Sequence, residues 1–128
     1  MGLQRLRLDE CEVLEKTGIS SRQILWPKNA PDAHATITHV TMEPGSISRR
    51  HTHERSEQTW IVEQGEGLLL LENGEIERLV AGDVVRTPAG ETHGVENTGA
   101  VPLVYLAVTT PPQDFTYAYS SADKTNRS

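Results

Sequence analysis

The chain has 128 residues and 14.1 kDa, the size of one domain, so any site must be built inside a single core or between copies. A formal charge of −6 with only three lysines excludes a phosphate-binding nucleic-acid surface, and 36% hydrophobic residues with ten Gly and seven Pro exclude a disordered or long-helical chain. Cys11 is the only cysteine, which rules out an internal disulfide or a cysteine metal cage and fits a cytoplasmic location, while the longest apolar run, residues 68–71, is far short of the roughly 20 needed to span a bilayer.

Turn signals recur every eight to twelve residues between short β-rich segments, the pattern of an all-β sandwich or barrel. Residues 1–34 read as an N-terminal extension with at most two weak strands, broken at Gly18 and closed by Pro27 and Pro31, and free to pack against a partner subunit. Residues 35–112 read as the barrel. Its first strand, ATITHVTME, stops at Pro44-Gly45, which suits a type II turn; SISRRHTH alternates, and another strand begins at Trp60. Asn73-Gly74 predicts a type I′ hairpin, Gly82-Asp83 and Ala89-Gly90 bracket VVRTP, and Pro111-Pro112 ends the last strand, PLVYLAVTT. In the tail, residues 113–128, Phe115 to Tyr119 are expected to dock and about the last eight residues to be loose.

Three of the five histidines have informative spacing. On a strand His51 and His53 project from one face, their Cα atoms about 6.6 Å apart, so two imidazoles can grip one ion. A remote donor is then required, and His93 is the natural one. Arg49 shares the parity of His51 and His53, which would put its guanidinium at the cavity mouth. Glu43 and His39 share a face of the preceding strand and are candidates for a supporting or general-base role. Tyr105 is a candidate hydroxyl donor, although both faces of LVYLAVT are apolar and its direction is open. Trp60 reads as core or as an apolar wall, Asn97 as a tie for its strand end, His34 as exposed, and Glu54, Glu57, Glu72, Glu75 and Glu77 as a solvated face.

Gly45-x5-His51-x-His53, followed by an acidic or amide residue before Gly65, resembles the first motif of the cupins. Gly82-x5-Pro88-x-Gly90-x2-His93-x3-Asn97 resembles the second at every fixed position, a coincidence on the order of 10⁻⁷ by chance. The resemblance covers roughly 60% of the chain and implies a small single-domain cupin, a double-stranded β-helix or jelly-roll barrel. It also implies a metal bound by His51, His53, a Glu or Gln, and His93. Counting back from Gly65 favours Gln58, which alternation places inward with Trp60 and Val62; Glu57 remains the alternative if a β-bulge re-aims it.

Imidazole-rich ligation implies one divalent transition metal, Zn, Fe, Ni, Mn or Cu, and a neutral Gln would leave the ion a stronger Lewis acid than a carboxylate would. The leading expectation is a metalloenzyme of isomerase, cyclase or lyase type acting on a small polar organic molecule. Residues 55–67 resemble mannose-6-phosphate isomerase-like cupins, which points the same way. The alternatives are a metal-dependent dioxygenase and a non-catalytic sugar- or metabolite-binding module. Exposed sheet edges lead us to expect a homodimer.

Overall fold

The computed structural model describes residues 2–119. In chain order the elements are β1 (Val13–Lys16), β2 (Ile19–Leu25), β3 (Thr36–Met42), β4 (Ile47–Thr52), β5 (Glu57–Gln64), β6 (Glu66–Leu70), β7 (Ile76–Val80), β8 (Val84–Thr87), β9 (Thr92–Glu96), β10 (Leu103–Thr110) and α1 (Thr116–Tyr119). They build two antiparallel sheets, ordered β1-β2-β3-β10-β5-β8 and β4-β9-β6-β7, closed on each other as a double-stranded β-helix. The all-β class expected from the turn spacing and the jelly roll implied by the cupin resemblance are therefore the fold. Asn73 (φ 61°) and Gly74 (φ 77°) supply the two positive-φ positions of the hairpin between β6 and β7, as a type I′ turn requires. Among the described residues no helix is long and apolar enough to cross a membrane.

The N-terminal segment differs from its sequence reading. Its two short strands form, but they extend the chain's own larger sheet, with β2 paired to β3 from Ile19↔Met42 to Gln23↔Thr38. The inward side chains of β2 are Ile19, Ser21 and Gln23, all buried, so two of the three are polar and no apolar alternation advertises a core strand. Gln23 is half compensated: its amide Nε2 donates to both the carbonyl and the hydroxyl of Ser21 at 2.9 Å, while its buried Oε1 has no hydrogen-bond partner among the described residues. The loose stretch expected at the C-terminus lies outside the described residues.

Buried polarity is concentrated at one end of the barrel. Inward positions run Thr36, Thr38, Val40, Met42 on β3 and Leu103, Tyr105, Ala107, Thr109 on β10, and the pairings Met42↔Leu103 and Thr36↔Thr109 align like with like. On β5 the inward series is Gln58, Trp60, Val62, with Gln58 opposite Thr109. Met42, Leu79, Val95 and Leu103, each fully buried, close the apolar end. Asn97 seals that end as well: its amide donates to the carbonyls of Met42 and Val101, and its oxygen accepts from the Gly99 N–H.

The β4–β9 pair carries a bulge that positions the polar end. Ile47↔Glu96 and Ser48↔Val95 pair in one register and His51↔His93 and Thr52↔Thr92 in the next, which leaves Arg49 and Arg50 opposite Gly94 alone. The extra residue brings the backbone of Arg49 and Arg50 against Gly94, where an added Cβ would lie 2.7 Å from the Ser48 oxygen and 2.9 Å from the Arg50 nitrogen. Gly94→Ala is expected to lose about 1–3 kcal/mol from overpacking, or more if the bulge is expelled. Urea denaturation checks this, and a loss below about 0.5 kcal/mol would show that the bulge yields easily.

Candidate metal centre

His51 and His53 come from β4 and the residue beyond its end, and His93 from β9 directly across from His51. Gly90 donates its N–H to the His53 carbonyl at 2.8 Å, tying the turn before β9 to the end of the β4 segment. The three rings meet edge to face with centroids 4.9, 4.6 and 5.3 Å apart, and one ligand nitrogen from each lies within 4.8 Å of the others.

Hydrogen bonding sets the tautomer of one ring. His51 Nδ1–H donates to the Arg49 carbonyl at 2.7 Å, which leaves the Nε2 lone pair facing the Nε2 of His93 at 3.1 Å. Two imidazole nitrogens bound about 2.1 Å from one ion at a right angle lie about 3 Å apart, so this spacing suits a shared cation. Among the described residues, the buried Nδ1 of His93 has no hydrogen-bond partner. The donor set, three neutral imidazoles, is one that Zn, Cu, Fe and Ni accept.

Burial holds all three rings neutral. Desolvation is the largest cause for each, lowering His53 to about 4 and His93 to about 3, helped by the positive charge that a protonated His51 would place beside them. His51 is lowered too, first by burial and further by the Lys16 ammonium, against the opposing bond to the Arg49 carbonyl. At neutral pH the cluster therefore offers lone pairs without first releasing protons.

Gln58 and Glu57 separate as their alternation predicts. Gln58 is 7% exposed and lines the cavity beside the histidines; Glu57 faces the other side of β5 and pairs with Arg86 at 2.8 Å. The bulge in the β5–β10 pairing falls between Val62 and Gln64, beyond the reach of Glu57. The Trp60 indole N–H donates to Gln58 Oε1 at 2.8 Å, and Gln58 Nε2 donates to the Thr109 hydroxyl at 2.8 Å, which fixes which end of the amide points where. The oxygen end is thus turned toward Trp60, whose ring lies 5.1 Å from that of His93.

The other candidates part company. Tyr105 points inward, 4.6 Å ring to ring from Trp60, and burial pushes its phenol up, so it stays protonated. Arg49, expected on the face of His51, is exposed and outside the cavity lining, because the bulge inserts a residue and breaks the parity. Glu43 and His39 do share a face, but it is the outer one: Val40 and Met42 take the inner positions, and His39 contacts Glu63 at 2.8 Å. His34 is exposed as expected.

The cavity, about 240 Å³, is closed by residues that the histidine pattern could not indicate: Lys16 at the end of β1, and Phe115, Tyr117 and Tyr119 around α1. Phe115 lies 5.6 Å ring to ring from His53. The tail aromatics were a sequence signal for docking; Lys16 had only the Thr17-Gly18 turn beside it.

The Cupin domain family model matches residues 38–109. An uncharacterized protein of Methanocaldococcus jannaschii is 30% identical over 99 residues, covering 77% of this chain and 78% of that one. The oxalate-binding protein of Thermotoga maritima is 40% identical over 69 residues, 54% of this chain and 56% of its own, so the chain spans little more than half of that relative. Among solved structures, one described as a predicted oxalate decarboxylase from Thermotoga maritima superposes with a TM-score of 0.72 at 26% identity, over 84% of this chain and 99% of that chain.

The neutral histidines make stability pH-dependent. Above the unfolded value of 6.5 neither state holds these protons; between 6.5 and about 3 the unfolded chain takes up protons that folded His53 (about 4) and His93 (about 3) refuse. Their contribution is therefore complete above pH 6.5 and lost as the pH falls toward 3. Urea midpoints of metal-free protein are expected to fall steadily from pH 7 to pH 4, with a shallower fall in His93→Asn; equal slopes would show that this ring is not held neutral.

Proposed function

The chain belongs to the cupin family, and on that premise we propose that it is a metalloenzyme in which His51, His53, His93 and Gln58 hold one divalent transition metal beside the cavity. The observation that carries this reading is the convergence of three neutral imidazoles, with two Nε2 atoms 3.1 Å apart. When bound, the metal supplies Lewis acidity, polarising a substrate carbonyl or lowering the pKa of bound water, and with only neutral ligands its +2 charge is undiminished. That favours isomerase, cyclase or lyase chemistry on a small polar organic substrate.

The chain's own residues prepare the site for that chemistry. The Arg49 carbonyl keeps the proton on His51 Nδ1 and so presents Nε2 as a ligand. Trp60 and Thr109 hold the Gln58 amide from both ends, leaving a second lone pair on its oxygen for a metal. Trp60 and Tyr105 form the apolar wall, and Phe115 with Tyr117 shields the histidines from water. The oxalate-binding relative supports a second reading, in which the same centre holds a small acid without converting it. A cytoplasmic homodimer completes the proposal; light scattering showing a monomer at micromolar concentration would remove the dimer.

Elemental analysis of tag-free protein should find about one metal per chain, lost in the His51→Ala/His93→Ala double variant. No metal after reconstitution overturns the reading. Gln58→Ala is expected to weaken metal affinity roughly tenfold or more, while Glu57→Ala leaves it unchanged; the reverse pattern would transfer the fourth ligand to Glu57.

A further inference from the structure

Of the chain's two tryptophans, three tyrosines and one phenylalanine, all but Trp26 line the cavity beside the histidines. The opposite end of the barrel is closed by aliphatic side chains, Met42, Leu79, Val95 and Leu103, so rings are gathered where the space is and not where the packing is densest. They arrive from two directions. Trp60 on β5 and Tyr105 on β10 are buried inward side chains of paired strands, with ring centres 4.6 Å apart. Phe115, Tyr117 and Tyr119 come from the tail, which is fixed at Gln113: its N–H donates to the Thr36 hydroxyl at 2.9 Å, that hydroxyl donates to its carbonyl at 2.7 Å, and its side-chain amide donates to the Ser56 hydroxyl at 2.9 Å. Phe115 then lies 5.6 Å from His53 and 6.3 Å from Tyr117, ring centre to ring centre. Short side chains keep the space open, with Ala107 paired to Trp60 and with the hydroxyls of Ser21, Thr38 and Ser48 in the lining.

We infer that this cavity is a slot for a planar conjugated ring and that its substrate class is an oxygenated aromatic of one ring, a phenol, with the ring oxygen at the histidine centre. The placement of that oxygen rests on the metal-centre reading above; the ring slot stands on the lining. Each favourable ring pair adds roughly two- to tenfold in affinity beyond the area it buries, and only a guest with a π face collects that gain. The volume, about 240 Å³, exceeds the roughly 150 Å³ that accommodates one benzene and falls below the roughly 300 Å³ of drug-sized pockets, which leaves room for one ring and its substituents. The hydroxyls of Ser21, Thr38 and Ser48 can donate to or accept from further oxygens on that ring. A sugar also lies on aromatic faces, but every one of its hydroxyls must be met, and the Gln58 amide is already engaged by Trp60 and Thr109. A cationic guest, which aromatic faces attract as well, would be opposed by the divalent ion.

The test is calorimetric titration of zinc-reconstituted protein with phenol, with its saturated counterpart cyclohexanol and with glucose, reading metal content on each sample. The wild type is expected to bind phenol roughly tenfold or more tightly than cyclohexanol. Phe115→Leu keeps an apolar side chain without a π face and should weaken phenol binding roughly two- to tenfold, with cyclohexanol affinity and metal content unchanged. Phe115→Tyr keeps the ring and should bind phenol as the wild type does. Tyr117→Leu repeats the comparison at a ring that is 43% exposed, where folding has little at stake. No phenol binding by the wild type, equal affinity for cyclohexanol, equal losses of both alcohols in the two leucine variants, a loss in Phe115→Tyr as large as in Phe115→Leu, or tighter binding of glucose each overturns the inference. A wild type that takes up no zinc removes the metal-centre reading instead, and the same comparisons on that protein still decide the ring slot.

Discussion

Three imidazole rings pressed together with centroids about 5 Å apart and largely shielded from water are held neutral at pH 7, and the architecture of the barrel's polar end follows from that constraint. A neutral ring has one lone pair, so its orientation matters, and the Arg49 carbonyl settles it for His51. That carbonyl is available because the bulge turns the β4 backbone at Arg49 and Arg50, and the bulge is accommodated because β9 has glycine at position 94. One missing Cβ thus reaches, through a backbone irregularity, to the proton on an imidazole.

The same end of the barrel tolerates buried polarity because most of its polar side chains find partners, on their own strand, on a neighbouring strand or in the tail; among the described residues the buried exceptions are Gln23 Oε1 and His93 Nδ1. Gln58 lies between Trp60 and Thr109, Gln23 bonds to Ser21, and the Thr36 hydroxyl donates to the Gln113 carbonyl at 2.7 Å. An unpartnered buried group costs about 1–3 kcal/mol, so these pairings decide whether the cavity is affordable in a domain this small. The opposite end, closed by Met42, Leu79, Val95 and Leu103, supplies the apolar burial.

Much of this was legible. The turn residues placed the strand boundaries, since Asn73-Gly74 and Pro44-Gly45 leave the backbone few alternatives, and the two histidine motifs named the cluster. Period-two alternation also sorted Gln58 inward from Glu57 outward on a strand that is regular there. Alternation misled at Arg49 because a bulge changes parity by one and leaves no mark in the local sequence. It was silent at Tyr105 because β10 is apolar on both faces, with Leu103, Tyr105 and Ala107 buried inside and Val104, Leu106 and Val108 half-buried outside. Strand β2 was undervalued for the opposite reason, its inward face being largely polar.

The amino-acid sequence by itself determined the all-β class, the turns and the identities of the three histidines, because these depend on backbone preferences and on spacings of a few residues. Tertiary structure alone decided which faces turn inward at Arg49, Glu43 and Tyr105, and that Lys16 and Tyr119 meet at the cavity. Those outcomes depend on register and on closure between segments about a hundred residues apart, where the energy lies in contacts across sheets and no local pattern records it.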